Sequence, residues 1–231
     1  TENYTGASRE LNNYIKRFGD KGFFILQANY YKAECDYYTD NEDQALIHYQ
    51  YVVDQSRNEF TEKSLIKLSN TYYNRKEYLK AISYFQKLEP IAASKSTYLN
   101  AILGQMRGHE YLSDFEQAKD KAIQLLPIEN VPVENLVEAN MLLGRVQMLD
   151  SNYRSAKFHF DYVIDESRNK MTAEALYNRA YIHLMDKKIA LSRADVYRLN
   201  DDFSAYEYWV VKGFIILSDI YMLEDDLFQA K

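Results

Sequence analysis

A small side chain returns along this chain at a nearly constant interval. It stands at Ala45, Ala81, Ala118, Ala156, Ser192 and Ala230, in steps of 36, 37, 38, 36 and 38 residues. Twelve residues before each of these come Ala33, Ser69, Met106, Gly144, Ala180 and Ser218. Two helices approach closely only where neither carries a bulky side chain at the crossing. The spacing therefore predicts a string of antiparallel helix pairs, each closed by two small residues. Met106 breaks the pattern, and the flanking Gly104 and Gly108 are expected to take over its role.

Apolar residues keep the same phase. Four residues beyond the small position of the second helix come Tyr49, Phe85, Ala122, Phe160 and Val196, and seven beyond come Val52, Leu88, Leu125, Val163 and Leu199. Three before it come Tyr78, Phe115, Tyr153, Ile189 and Leu227, with Glu42 in the first pair. Positions i, i+4 and i+7 share one helix face, so this stripe marks the packed side of each second helix. In the fifth pair only Ser192, not Ala190, keeps Val196 and Leu199 in the stripe.

A helix pair repeating at this period resembles the tetratricopeptide repeat (TPR), and the likeness covers nearly the whole chain. It is strongest where Tyr153–Val163 follows Leu142-Leu143-Gly144. Asn13–Tyr31 resembles repeat junctions of bacterial envelope TPR proteins, and Tyr208–Tyr221 is similar to a late repeat of the large multi-repeat TPR proteins of Bacteroidetes. The resemblance implies an all-α fold, a right-handed α-solenoid of antiparallel helix pairs forming a TPR-like superhelix. It also suggests a periplasmic or outer-membrane-associated location, with the cytoplasm as the alternative.

The phase predicts one array over residues 1–231. Residues 1–6 are expected as a flexible lead and 7–18 as the second helix of a preceding repeat. Full repeats follow at about 22–58, 60–94, 95–128, 133–169 and 171–203, with a truncated repeat at 205–231. Thr61 with Ser64 is expected to cap a helix, and Pro90 to kink or shorten one. Pro127 and Pro132 bracket either a domain boundary or a longer loop between repeats. The last helix has barely begun its packing face at Lys231, where natural arrays end in a polar cap. The sequence thus reads as a piece cut from a longer repeat protein at both ends.

Composition narrows function. A net charge of −6 disfavours nucleic acid and an anionic membrane surface as partners. No apolar run is long enough to span a membrane, so no direct insertion is expected. The single cysteine, Cys35, excludes an internal disulfide framework and is expected as a packed thiol. His48, His109, His159 and His183 lack metal-ligand spacing, and no phosphate loop or nucleophile elbow is present. His109 and Glu110 are adjacent on a helix and diverge, and the acidic turns lack calcium-loop spacing. His48 and His159 are expected at the surface or in hydrogen bonds between repeats. No enzyme activity, cofactor or metal is expected.

In TPR proteins the first helices line a concave face that usually takes the ligand. Carried onto this phase, the groove would present Tyr30, Glu34, Tyr37, Asn70, Tyr73, Arg107, Glu110, Arg145, Met148, Tyr177 and Tyr181. Tyr and Arg are common binding hot spots, and Met adapts its shape. Packing between first helices is the competing role for these residues. The chaperone-type carboxylate clamp is disfavoured, because Ile66 stands where its Lys would be. The expected function is a non-catalytic scaffold that binds a protein or peptide. Glycan binding is the alternative, on Tyr30, Tyr37, Tyr38 and Tyr73. Open repeat ends would also allow end-to-end self-association.

Overall fold

The computed structural model describes residues 3–226, 228 and 229. Twelve α-helices and no strand occur among them: α1 (Tyr4–Phe18), α2 (Ile25–Tyr37), α3 (Glu42–Asp54), α4 (Thr61–Asn74), α5 (Tyr78–Leu88), α6 (Lys95–Tyr111), α7 (Phe115–Leu125), α8 (Val133–Leu149), α9 (Tyr153–Glu166), α10 (Lys170–Met185), α11 (Ile189–Asp202) and α12 (Glu207–Leu223). They form two compact units, residues 1–114 and 115–231. In each unit, helices adjacent in sequence pack against one another. First helices are α2, α4 and α6 in one unit, and α8, α10 and α12 in the other.

The small residues lie where the phase puts them. Ala33, Ala45, Ser69, Ala81, Ala118, Ala156, Ala180 and Ser192 are all fully buried. So is the second-helix stripe from Tyr49 and Val52 to Val196 and Leu199. A Cβ on Gly144 would lie 2.5 Å from the Phe160 ring, so the backbone of α8 rests on α9. Gly104 and Gly108 do a different job from the one expected. A Cβ there would meet Phe85 at 2.3 Å and Ile82 at 2.7 Å, so both glycines seat α6 on α5, the helix before it.

Each first helix ends in the same device. Asp40, Lys76, Ser113, Ser151, Lys187 and Asp225 all take positive φ, each five residues before a small position of the ruler. The next residue then donates a backbone bond across the helix end, as in Asn41 N–H to Asp36 O at 2.9 Å and Lys188 N–H to His183 O at 2.8 Å. This left-handed closure satisfies carbonyls that the helix would otherwise leave open. Within each unit it reverses the chain in two or three residues and turns α3, α5, α9 and α11 back against the first helices that precede them.

Several expectations are corrected. Within the expected lead, residues 3–6 are ordered into a helix start: α1 begins at Tyr4, capped by the Asn3 side chain, which accepts from Gly6 N–H at 2.9 Å, and residues 1 and 2 lie outside the described residues. Thr61 and Ser64 do not cap α4. Asn58 Oδ1 accepts from Phe60 N–H and Thr61 Oγ1 from Asn58 N–H, both at 2.9 Å, while Ser64 is buried. Pro90 shortens α5, which ends at Leu88 and passes into a single 3-10 turn. The stretch between Pro127 and Pro132 is a loop inside the second unit, joining the packed helices α7 and α8. Leu227, Ala230 and Lys231, on which the start of the last second helix was expected, lie outside the described residues.

Two polar clusters tie helices together. In the first unit the buried pair Lys32–Asp36 on α2 also receives the Ser8 hydroxyl from α1 at 2.8 Å. In the second unit Arg179 on α10 grips Asp195 on α11 through two bonds, 2.6 and 2.9 Å, and Asp161 on α9 at 2.9 Å.

Candidate functional site

The eleven groove residues do not share one role. Tyr30 is turned into the core, 9% exposed, with its ring stacked on Phe60 at 4.6 Å. Phe60 comes from the residue just before α4 and closes over α2. Burial first, and Glu34 beside it next, push the Tyr30 hydroxyl up to about 12. Glu34 also accepts from the Tyr49 hydroxyl of α3, so its carboxylate is held from two sides. Burial and that bond raise the Tyr49 hydroxyl far above the usual range.

Tyr37 faces outward more. The Lys67 ammonium of α4 lies 4.0 Å from its ring centre and 5.5 Å from that of Tyr38. Tyr38 is 55% exposed and stacks on Tyr4 at 5.0 Å. Tyr73 sits apart from Tyr30, in a separate group with Tyr78 at 5.5 Å and Tyr111 at 6.3 Å. Asn70 accepts from the Asn100 side chain at 3.4 Å, and Arg107 and Glu110 are half-buried on α6.

In the second unit Arg145 on α8 makes a two-bond fork with Glu174 on α10, at 2.6 and 2.7 Å. Such planar, charge-assisted pairs are the strong kind. Met148 packs on the core formed by α8, α9 and α10. Tyr181 turns toward Tyr153, with ring centres 6.4 Å apart. Tyr177 lies against Trp209 at 5.5 Å, and the Lys212 ammonium stands 5.3 Å from Tyr177, 5.2 Å from Tyr208 and 5.8 Å from Trp209.

These pairs obey a register that the hydrophobic phase did not reveal. In two places the residue after the small position of one first helix meets the residue six before the small position of the next. Asn70 with Asn100 and Arg145 with Glu174 are both such rungs. They zip neighbouring first helices along the face that also carries Tyr37, Lys67, Tyr177 and Lys212. Asn100, Glu174, Lys67, Tyr208, Trp209 and Lys212 were not among the expected groove residues, though they contact them or one another. Their signal was available only by shifting the ruler.

The histidines are structural. His48 Nδ1 lies 2.8 Å from Asn29 Oδ1 and His159 Nδ1 lies 2.9 Å from Asn140 Oδ1. Each pair joins the two helices of one repeat, so the bonds are within repeats, neither surface nor inter-repeat. Each Asn also donates to the carbonyl four residues earlier, Ile25 or Leu136, which fixes the amide and makes the histidine the donor. Burial lowers both histidines below their ordinary pKa. His109 Nδ1 lies 3.0 Å from Asp114. Cys35 is buried and its thiol pKa is raised by burial, the opposite of a reactive thiolate. Among the described residues no three His, Cys, Asp or Glu side chains group to hold a metal, and no helix is long and apolar enough to cross a membrane.

No family model matches the chain, and no curated protein sequence is similar to it. Solved structures are. A tetratricopeptide repeat protein from Parabacteroides merdae is similar at 15% identity and TM-score 0.51, over 98% of this chain and 82% of that one. The TPR2AB domain of yeast Sti1, solved in complex with pHSP90, is similar at 14% identity and TM-score 0.37, over 89% of this chain and 86% of that one. With the first of these and the packed helix pairs described above, the chain has the tetratricopeptide-repeat fold.

Proposed function

We propose that this chain is a non-catalytic scaffold that binds a peptide or a partner protein on the faces of its first helices. The observation that carries the reading is what those faces leave uncommitted. The core and the rungs consume Tyr30, Glu34, Asn70 and Arg145, yet cation and aromatic groups remain at Tyr37–Tyr38–Lys67 and at Tyr177–Tyr208–Lys212. Large rings with a cation at hand supply both apolar area and a charge, the usual makings of a hot spot. Arrayed 12-residue peptides provide the test. A Tyr37→Ala/Lys67→Ala variant and a Tyr177→Ala/Lys212→Ala variant should each lose most bound peptides while keeping helical circular dichroism. Undiminished binding by both variants would remove the reading.

A glycan reading has one observation behind it, the exposed Tyr4–Tyr38 stack. A flat aromatic pair offers a platform for a sugar ring. Silence on a glycan array at high protein concentration would remove it. End-to-end self-association is supported by apolar surface in both units. Phe23, Phe24 and Tyr31 are exposed beside a cleft of about 500 Å³ between α1 and α2, and Val211, Phe214 and Ile215 are exposed on α12. A monomer mass that stays constant up to high concentration would exclude it. The resemblance of residues 13–31 to repeat junctions of bacterial envelope proteins supports a periplasmic or outer-membrane-associated location, which cell fractionation tests.

A further inference from the structure

The rungs between first helices have a gap, and the gap is a cation. In the second unit Arg145 meets Glu174 across α8 and α10. On the same register the α10 position that corresponds to Lys212 of α12 is Tyr181. A tyrosine cannot answer an ammonium with a charge, and Tyr181 turns instead to Tyr153. Lys212 forms no ion pair among the described residues. Its ammonium donates to the Tyr208 hydroxyl, and the nearest carboxylate whose field it feels, Glu174, is already forked to Arg145. The ammonium is held among Tyr177, Tyr208 and Trp209 instead. Beside it the Trp209 Nε1 donor is buried and has no acceptor. Lys212 thus has the Tyr208 hydroxyl but no acid for a partner, on a ring-walled spot that also holds a buried indole donor without an acceptor and is bordered by exposed Val211 and Ile215.

We propose that this spot is a subsite for an Asp or Glu side chain within a bound peptide, with an apolar neighbour of that residue lying on Tyr208 and Ile215. The peptide carboxylate takes the place of the acid that the rung lacks. Lys212 donates to it, and as the lysine leaves the rings the indole N–H of Trp209 becomes available as a second donor. The idea rests on the peptide-binding reading above and adds the chemistry recognised at one position.

The probe is an array of 12-residue peptides, each made in three forms with Glu, Gln or Lys at one varied position beside a leucine. The wild-type chain should hold its best Glu peptides about tenfold more tightly than their Gln forms, the usual worth of a charge-assisted hydrogen bond. Lys212→Met should erase that difference, Lys212→Arg should keep most of it, and Lys212→Glu should shift preference to the Lys forms. An unchanged Glu preference in a folded Lys212→Met variant overturns the subsite while leaving peptide binding intact. Absence of peptide binding by the wild type overturns the peptide reading and the subsite with it. Lys212-dependent retention of a glucuronate oligosaccharide, with no peptide bound, reassigns the cation to acidic sugars and equally overturns the proposal.

Discussion

Gly144 shows how little slack the repeat leaves. Any side chain there must enter space held by Phe160, itself fully buried. Alanine would gain about 1 kcal/mol of helix propensity over glycine, but overpacking a filled core costs about 1–3 kcal/mol. Gly144→Ala is therefore expected to destabilise by about 1 kcal/mol net in urea denaturation, and a stabilised variant would show that the crossing is looser than it looks. The histidines give a second test at this scale. Burial lowers His48, His159 and His183 below the ordinary 6.5, so the unfolded chain takes up protons more readily than the folded one. Their contribution to stability is complete above that value, falls as pH drops through it, and levels off below the depressed folded values. His159→Gln keeps a donor for Asn140 but cannot titrate, so it should flatten the slope of stability between pH 7 and 5. An identical slope would mean that His159 is already free to protonate in the fold.

Helices, rather than single residues, are what Arg179 holds in place. It joins α9, α10 and α11, and Asp195 is nearly buried at the other end of its fork. Removing one partner of a buried pair leaves an uncompensated charge, which typically costs about 3–5 kcal/mol. Lys157 still serves Asp161 at 2.6 Å, so Arg179→Met belongs near the lower end, about 3 kcal/mol in urea denaturation. A loss under about 1 kcal/mol would show that water reaches the cluster. Elements were also where the sequence was most readable. The small positions and the apolar stripe are periodic and buried, so a ruler on Ala156 finds Phe160 and Val163 without any knowledge of the fold. The first-helix face was less readable, because its rungs change chemistry from Asn–Asn to Arg–Glu and leave no hydrophobic period. Whether Tyr30 faces the groove or packs was unreadable for a related reason. The residue that covers it, Phe60, lies outside the helix stripe, at a helix entry about thirty residues away.

Across the whole chain, every packed pair described in either unit joins helices that are close in sequence. The stability of such an array is approximately a sum of local terms and nearest-neighbour interfaces. Damage should therefore stay near its source. Ala156 is fully buried at the crossing of α8 and α9, in a cluster that also holds Ala175 and Leu176 of α10. A tryptophan there cannot fit without parting those helices. Ala156→Trp is expected to raise amide hydrogen exchange through α8, α9 and α10, while the helices of residues 4–111 keep wild-type protection. Uniform loss of protection across the chain would mean that the units unfold as one, and the local picture would fail. Confinement to the second unit would have a consequence for binding: a peptide-binding face in residues 4–111 would survive damage to the other unit, so the Tyr37–Lys67 and Tyr177–Lys212 groups could be dissected one at a time.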